Sequence, residues 1–436
     1  MSQTAEVSIS CHCGAAKQTV ILRPPESQAT PYPLDVSLCH CHAYRHTSGL
    51  LCVSYVPIYT PPSLSGLRIY FDEQLRASLR ASLSRYFCST CGCHVFQLAQ
   101  RSHNDSEESD ELWAVATGII IGRAVARNAE EGVDAEDEGQ KPLLRIARHI
   151  GTASTRDGGL SPFIDVEYAE EPSELGKHGH EGASLPHHTA STVEDEVESR
   201  DHHNKEDDKN VLQARCHCKS VRFHITRPDA SSRLPHSGFP DLMIPFKTSP
   251  REVITNPQNE KWWLCPQRDP NPTKYLAGTC ACRSCRLTSG FEIQTWAFVP
   301  RSNIFFLPPS TSSTSTPPSL TPSGSIPLDF TTLPPGILQS YESSPGVLRE
   351  FCPRCGATVF WHDRWRPDLV DVSVGLLDAP EGARAEKWLD WWCGRVSFEE
   401  DAVSERVGEV AGWARNLVGS LAKGLMRWEN EEGKKS

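Results

Sequence analysis

Three short cysteine patterns recur in the same order along this chain, and each is spaced to aim sulfur at a metal ion. In the first half they are CHCG (11–14), CHCHAYRHTSG (39–49) and FCSTCG (87–92). In the second half they are CHCK (216–219), CACRSCRLTSG (280–290) and FCPRCG (351–356). Longer matches frame the repeat: CHCGAAKQTVILRP (11–24) returns as CHCKSVRFHITRP (216–228), and FCSTCGCHVF (87–96) as FCPRCGATVF (351–360). A structural zinc site needs four ligands in a closed tetrahedron and favours thiolates. A C-x-C pair supplies two, and a C-x-x-C-G turn supplies two more. Cys216, Cys218, Cys352 and Cys355 would therefore form one closed site, and Cys11, Cys13, Cys88 and Cys91 a second. The competing reading, buried free cysteines, would have to account for the same double spacing twice.

The middle block implies a different chemistry. Cys280, Cys282 and Cys285 stand together without an evident fourth ligand. Three protein ligands and a vacant position is the pattern of a reactive zinc, where water or substrate completes the coordination. An exogenous thiol suits such a position, because zinc lowers its pKa from about 8.5 and holds it as thiolate. Aligned on T-S-G, Cys39 and Cys41 match Cys280 and Cys282, but Tyr44 stands where Cys285 stands. A neutral phenol is a poor zinc ligand. Two alternatives remain for the first half: His40, His42 or His46 replaces the missing thiolate, or the pocket is weak, empty or put to another use. Catalytic chemistry is expected at Cys280, Cys282 and Cys285.

Cys52, Cys93, Cys265 and Cys393 have no counterpart in the other half and read as core residues. The tryptophans of KWWLC (261–265) and KWLDWWC (387–393) read first as packing residues, with walls of a ligand pocket as the alternative.

The elements that must position these ligands are read as strands. SVRFHIT (220–226) places Val221, Phe223 and Ile225 on one face, ATVFWH (357–362) is short and β-rich, and LVDVSVGLL (369–377) alternates before a glycine. Prolines and short spacings leave little room for long helices, so each half is expected to be a small twisted β-sheet unit with metal replacing part of a core. The tail differs. Over 400–430, Val403, Val407, Val410, Ala414, Leu417, Leu421 and Leu425 fall at three- and four-residue steps, predicting an amphipathic helix. Its apolar face is expected to dock on the protein's own surface, with a partner or a membrane surface as the alternative.

The chain has 436 residues, enough for two ordinary domains, and 17 cysteines. Its first thirty residues lack the basic-then-apolar pattern of a signal peptide, so a reducing intracellular compartment, cytoplasm or nucleus, is expected. There close cysteines serve as metal ligands more often than as cross-links. No run reaches the length of a membrane helix, the nearest being LWAVATGIIIG (112–122), so a soluble chain is expected. The net charge of −11 is concentrated in 165–210, where 14 acidic residues face 4 basic ones. No segment offers the basic face a nucleic-acid binder presents to phosphates. The same acidic stretch, with six histidines and few large apolar residues, reads as a disordered linker. Polar inserts at 102–111, 130–140 and 308–324 read as surface loops.

The ordered set C-x-C, C-x-C-x-x-C before T-S-G, and F-C-x-x-C-G resembles the glutathione-dependent formaldehyde-activating family, which includes centromere protein V. The resemblance covers roughly 8–160 and 212–395. It implies a mainly β chain of two zinc-bound β-tent domains in tandem. Their bounds would be 8–164 for the first, 165–210 for the disordered acidic linker, 211–398 for the second with inserts near 229–270 and 308–336, and 399–436 for a helical tail. It implies a structural zinc on Cys216, Cys218, Cys352 and Cys355, a catalytic zinc on Cys280, Cys282 and Cys285, and in the first domain a structural zinc on Cys11, Cys13, Cys88 and Cys91 with Cys39 and Cys41 as the remnant of a catalytic set. The implied activity is a carbon–sulfur lyase that condenses glutathione with formaldehyde to S-(hydroxymethyl)glutathione, with a small thiol and a small aldehyde as partners. The alternative is a non-catalytic, zinc-stapled scaffold like centromere protein V, recruiting protein partners through tail or linker.

Overall fold

The computed structural model of the chain describes residues 5–24, 32–71, 81–102, 109–123, 142–166, 210–265, 268–307 and 324–432. Of the expected linker only its two ends fall within these residues, and most of the three polar inserts lies outside them.

Strands dominate. The first half runs β1 (Ala5–Ile9), β2 (Gln18–Leu22), β3 (Leu34–Cys39), helix α1 (His42–Ser48), β4 (Tyr55–Pro57), β5 (Leu67–Phe71), β6 (Ala81–Cys88), β7 (His94–Ser102), β8 (Ser109–Ala116), β9 (Ile120–Arg123) and β10 (Leu144–Ile150). The second half runs β11 (Val211–Arg215), β12 (Arg222–Thr226), β13 (Tyr275–Cys280), helix α2 (Arg283–Ser289), β14 (Gln294–Pro300), β15 (Ile304–Phe306), β16 (Ile326–Pro327), β17 (Gln339–Ser344), β18 (Val347–Phe351), β19 (Thr358–Asp363), β20 (Leu369–Ser373) and β21 (Leu389–Trp391), and ends in α3 (Gly408–Glu432). The sheet order β4-β8-β7-β6-β5 recurs as β14-β20-β19-β18-β17, the latter sheet continuing into β13 and β21. β10 lies parallel to β3 and follows it to Cys39, whereas β21 lies parallel to the start of β13 and Ser397 bridges Cys280 at its end.

Alternation explains the outer strands. β1 buries Ala5, Val7 and Ile9, and β12 buries Phe223 and Ile225, as a one-faced sheet requires. It fails for β20, where all five residues are buried, and the stretch beyond Ser373 is a 3-10 turn at Val374–Leu376 rather than more strand. β13 and β14 are likewise buried throughout. The 229–270 insert supplies part of the second cover. Leu242 lies so close to Gly278 of β13 that a Cβ there would meet its Cδ2 at 2.5 Å, and the Trp262 ring stands 4.9 Å from Phe298 of β14. Trp262, Trp263, Trp388 and Trp391 are buried packing residues. Ser109–Glu111, read from sequence as the end of a surface loop, belong to β8.

The halves meet face to face, with matching contacts in both directions. His12 N donates to Leu287 O at 3.0 Å, and its counterpart His217 N donates to His46 O at 2.9 Å. Gly118 N donates to Gly290 O, and Gly375 N to Gly49 O, both at 3.0 Å. Arg45 reaches across to the carbonyls of Gly375 and Leu377, while Arg286 reaches back to that of Gly118. Glycine is required at these crossings: a Cβ on Gly375 would fall 2.2 Å from Gly49 C, and one on Gly118 would fall 2.6 Å from Gly290 O. The core is accordingly one continuous cluster that includes residues of both halves.

The tail helix exists but begins later than its apolar pattern suggests. Its first residue is Gly408, at φ 56°. Val403 ends a 3-10 turn (Glu399–Val403), and Val407 is 66% exposed instead of lying on the buried face. Val410, Ala414, Leu417, Leu421 and Leu425 are buried as expected, joined by Trp413 and Val418. The helix folds back onto the first half, against β9, β10 and the turn Ser161–Phe163. Gly424 allows the close approach, since a Cβ there would sit 2.0 Å from the Phe163 carbonyl oxygen. No helix among the described residues is long and apolar enough to cross a membrane.

Candidate metal centres

Three groups of cysteines converge as the spacing predicts. Cys11, Cys13, Cys88 and Cys91 form one, Cys216, Cys218, Cys352 and Cys355 a second, and Cys280, Cys282 and Cys285 a third, with the ligand atoms in each lying within 4.8 Å of one another. None of the 17 cysteines is in a disulfide. The sulfur separations fit a shared ion: 3.5 and 3.4 Å along Cys11–Cys13–Cys88, 3.4 to 3.8 Å among Cys216, Cys218 and Cys352, and 3.8 Å for Cys280–Cys285. A tetrahedron with metal–sulfur bonds of about 2.3 Å has edges of about 3.8 Å, whereas a disulfide needs about 2.05 Å. The three groups could each hold a metal ion, and their donors are consistent with zinc.

Local backbone explains the convergence. In each closed group the C-x-x-C turn is followed by a glycine in the left-handed region, Gly92 at φ 77° and Gly356 at φ 78°, whose N–H donates back to the first cysteine's carbonyl. Each glycine also faces a phenylalanine of the other half, Gly92 against Phe351 and Gly356 against Phe87. Ala16 N and Val221 N each donate to the first sulfur of their C-x-C, fixing where that sulfur points.

The three-cysteine group is built at the junction of β13 and α2. Cys280 ends the strand, Cys282 caps the helix by accepting from Cys285 N at 3.3 Å, and Cys285 lies one turn in. No fourth Cys, His, Asp or Glu joins this group among the described residues. Arg349 of β18 comes in from the side and is buried. It donates to Cys285 Sγ at 3.4 Å, to Ser284 Oγ at 3.1 Å and to Ser343 Oγ at 3.1 Å. Hydrogen bonds from Cys280 and Cys285, with the Arg349 charge beside them, hold the Cys282 thiol well below its ordinary range, while sharing with Cys282 pushes Cys280 up. The other half also contributes here. His12 accepts from or donates to Tyr341 Oη at 2.8 Å, and its pKa is lowered to about 4 by burial first and then by the charges of Arg349 and Arg283. The sequence reading did not single out Arg349, although its place three residues before the second F-C-x-x-C-G cysteine is matched by Arg85 in the first half.

In the first half a phenol fills the corresponding place. Tyr44 is buried, its hydroxyl donates to Gln97 Oε1 at 2.5 Å, and the Arg85 guanidinium lies 4.6 Å above its ring. Cys39 and Cys41 gain no third ligand among the described residues. The histidines that could have replaced it point elsewhere. His40 Nε2 meets His149 Nδ1 at 2.9 Å, and His42 and His46 turn toward Asp378 and Arg215 of the second half. Cys52, Cys93, Cys265 and Cys393 are buried and outside every group, as core residues would be.

Compared with protein-family models, with curated proteins and with solved structures, the chain matches none.

Proposed function

We propose that the chain is a zinc-dependent carbon–sulfur lyase-type protein of the glutathione-dependent formaldehyde-activating class, built from two β-tent domains in tandem, with its chemistry at Cys280, Cys282 and Cys285. The carrying observation is this group itself: three converged cysteine sulfurs without a fourth ligand among the described residues, next to a buried arginine that donates to one of them. Zinc held there would supply a Lewis-acidic fourth position at which an incoming thiol ionises near neutral pH.

The chain's own residues prepare that position. The β13–α2 junction fixes the sulfurs, so little reorganisation is needed when a ligand arrives. Arg349 orients Cys285 and offsets part of the negative charge of three thiolates, which keeps an anionic fourth ligand from being repelled. His12, held by Tyr341 across the two halves, puts a ring within electrostatic reach of Cys282. In the reaction, the thiol sulfur forms the C–S bond to the aldehyde carbon, the C=O π bond opens, and the thiol proton ends on the new hydroxyl. Holding both reactants side by side would supply much of the acceleration.

The test is turnover of the glutathione–formaldehyde adduct by the full-length chain and by Cys285→Ser. Loss of turnover in the variant supports the assignment, and equal turnover removes it. For the first half a second reading is favoured, because Tyr44 occupies the place of the third thiol. That half acts as a metal-stapled scaffold for the other.

A further inference from the structure

We propose that His42 and His46 of α1, together with Asp378 of the second half, form a fourth ion site, one that takes a divalent first-row transition metal and bridges the two halves. This proposal is independent of the lyase reading. The histidines are four residues apart, so their rings share one face of α1, with centroids 4.1 Å apart. Asp378 follows the Val374–Leu376 turn, and its backbone N–H is held by Gln213 O at 2.8 Å. One ligand atom from each of the three lies within 4.8 Å of the other two.

The protonation of His46 points to a cation. The side chain is fully buried, and Nδ1 lies 2.7 Å from the backbone oxygen of Arg215. A carbonyl has no proton to give, so the ring proton sits on Nδ1 and the lone pair on Nε2. That Nε2 is 3.1 Å from Asp378 Oδ1, yet no hydrogen bond satisfies it. A buried lone pair beside a carboxylate oxygen is repulsive unless a positive ion lies between them. An N–H donated to a backbone carbonyl, with the other nitrogen free, is how metal-ligating histidines are oriented. A proton on Nε2 is the competing cation, disfavoured by the guanidinium of Arg45 on the same helix and by that of Arg215, which already pairs with Asp378. Two imidazoles and one carboxylate select zinc, cobalt or nickel over calcium or magnesium.

Arginine sets the affinity. The Arg215 guanidinium lies 3.0 Å from His42 Nε2 and 2.9 Å from Asp378 Oδ2, and Arg45 approaches His42 Nδ1 at 3.5 Å. Arg215 is partly exposed, so a metal that takes up His42 and Asp378 can displace it toward solvent. The site also has no counterpart in the other half. In the T-S-G alignment Arg283 and Leu287 stand where His42 and His46 stand.

The experiment uses the zinc-loaded full-length chain, freed of loosely held ions and titrated with cobalt(II). Bound cobalt is counted, and absorption separates thiolate-bound ions, which show sulfur-to-cobalt charge transfer, from an imidazole–carboxylate ion, which does not. The expected result is one equivalent without charge transfer, lost in His46→Ala and in Asp378→Asn, retained in Cys285→Ser, and bound at least tenfold more tightly in Arg215→Gln. Equal cobalt binding by the wild type, His46→Ala and Asp378→Asn overturns the site. So does the absence of any such equivalent in both the wild type and Arg215→Gln. Should His46→Ala fail to fold, as its cysteine-bound zinc content reports, Asp378→Asn decides alone. Failure of the lyase reading would appear only in turnover and in the thiolate-bound ions, so the two results are distinguishable.

Discussion

Replacing Tyr44 with cysteine should restore a third thiol to the first half and with it a metal site. Tyr44 occupies the position matched by Cys285, and Arg85 stands over it as Arg349 stands beside Cys285. Without metal, Tyr44→Cys is costly. Truncating a buried aromatic and leaving Gln97 without its donor removes about 4 kcal/mol, from aromatic-to-small core substitutions and an orphaned buried acceptor. For a unit of this size, each kcal/mol moves Tm by about 2–4 °C, so the metal-free variant should melt about 8–16 °C lower. With metal the balance reverses, because thiolate sites in small modules bind zinc with an apparent free energy of about 10–16 kcal/mol. The assay is paired: thermal melts with and without chelator, and counted thiolate-bound cobalt. One additional thiolate-bound equivalent, with a chelator-dependent loss of Tm larger than in the wild type, is the expected outcome. No additional equivalent would refute the claim that Tyr44 alone separates the two pockets.

Arg349→Gln should weaken metal at Cys280, Cys282 and Cys285 by roughly 10–100-fold, as losing an outer-shell partner does, while the two four-cysteine groups keep theirs; competition with a graded chelator series reads this, and uniform weakening at all sites would contradict it. Gly375→Ala forces a Cβ into the Gly49 backbone and disturbs the Arg45 contact, which should cost about 3–5 kcal/mol from overpacking and a lost charged hydrogen bond; a urea midpoint equivalent to less than 1 kcal/mol, as an order-of-magnitude bound, would mean the halves do not pack as described. Burial lowers the pKa of His40 to about 3 and of His46 and His94 to about 4. Their contribution to stability is therefore complete above the unfolded-state value of about 6.5 and is lost as pH falls toward 4, about 2 kcal/mol per ring by pH 5. Asp371, raised to about 6 by burial, opposes this in part. His94→Gln should shrink the difference in urea stability between pH 7 and pH 5 by about 2 kcal/mol, and an unchanged difference would show that His94 is not held neutral.

The cysteine groups were legible in the sequence because their geometry is local. A C-x-C or C-x-x-C-G turn sets two sulfurs by itself, and the repeat shows which pairs belong together. The strands at Arg222–Thr226 and Thr358–Asp363 were legible for the same reason, their residue types and alternation being properties of a few neighbours. Leu369–Ser373 is the strand its residue types predict, but without the exposed face its alternation predicts, since cover on a second face buries every residue and nothing within the strand records that cover. The tail helix begins later than its pattern predicts because Val403 and Val407 keep helical spacing, whereas the helix itself starts only at Gly408, whose φ is positive. Contacts between the halves were invisible. Gly118, Gly375 and Asp378 acquire meaning only from partners across the interface, and Arg349 only from a cysteine 64 residues away in its own half.

The most direct test of the central claim is the number of thiolate-bound metal ions per full-length chain, measured on freshly isolated protein and on Cys285→Ser. Two closed groups and one open group predict three such ions in the wild type and two in the variant, with sulfur-to-metal charge transfer reduced by the open group's share after cobalt exchange. Two ions in both proteins, or three in both, would contradict it.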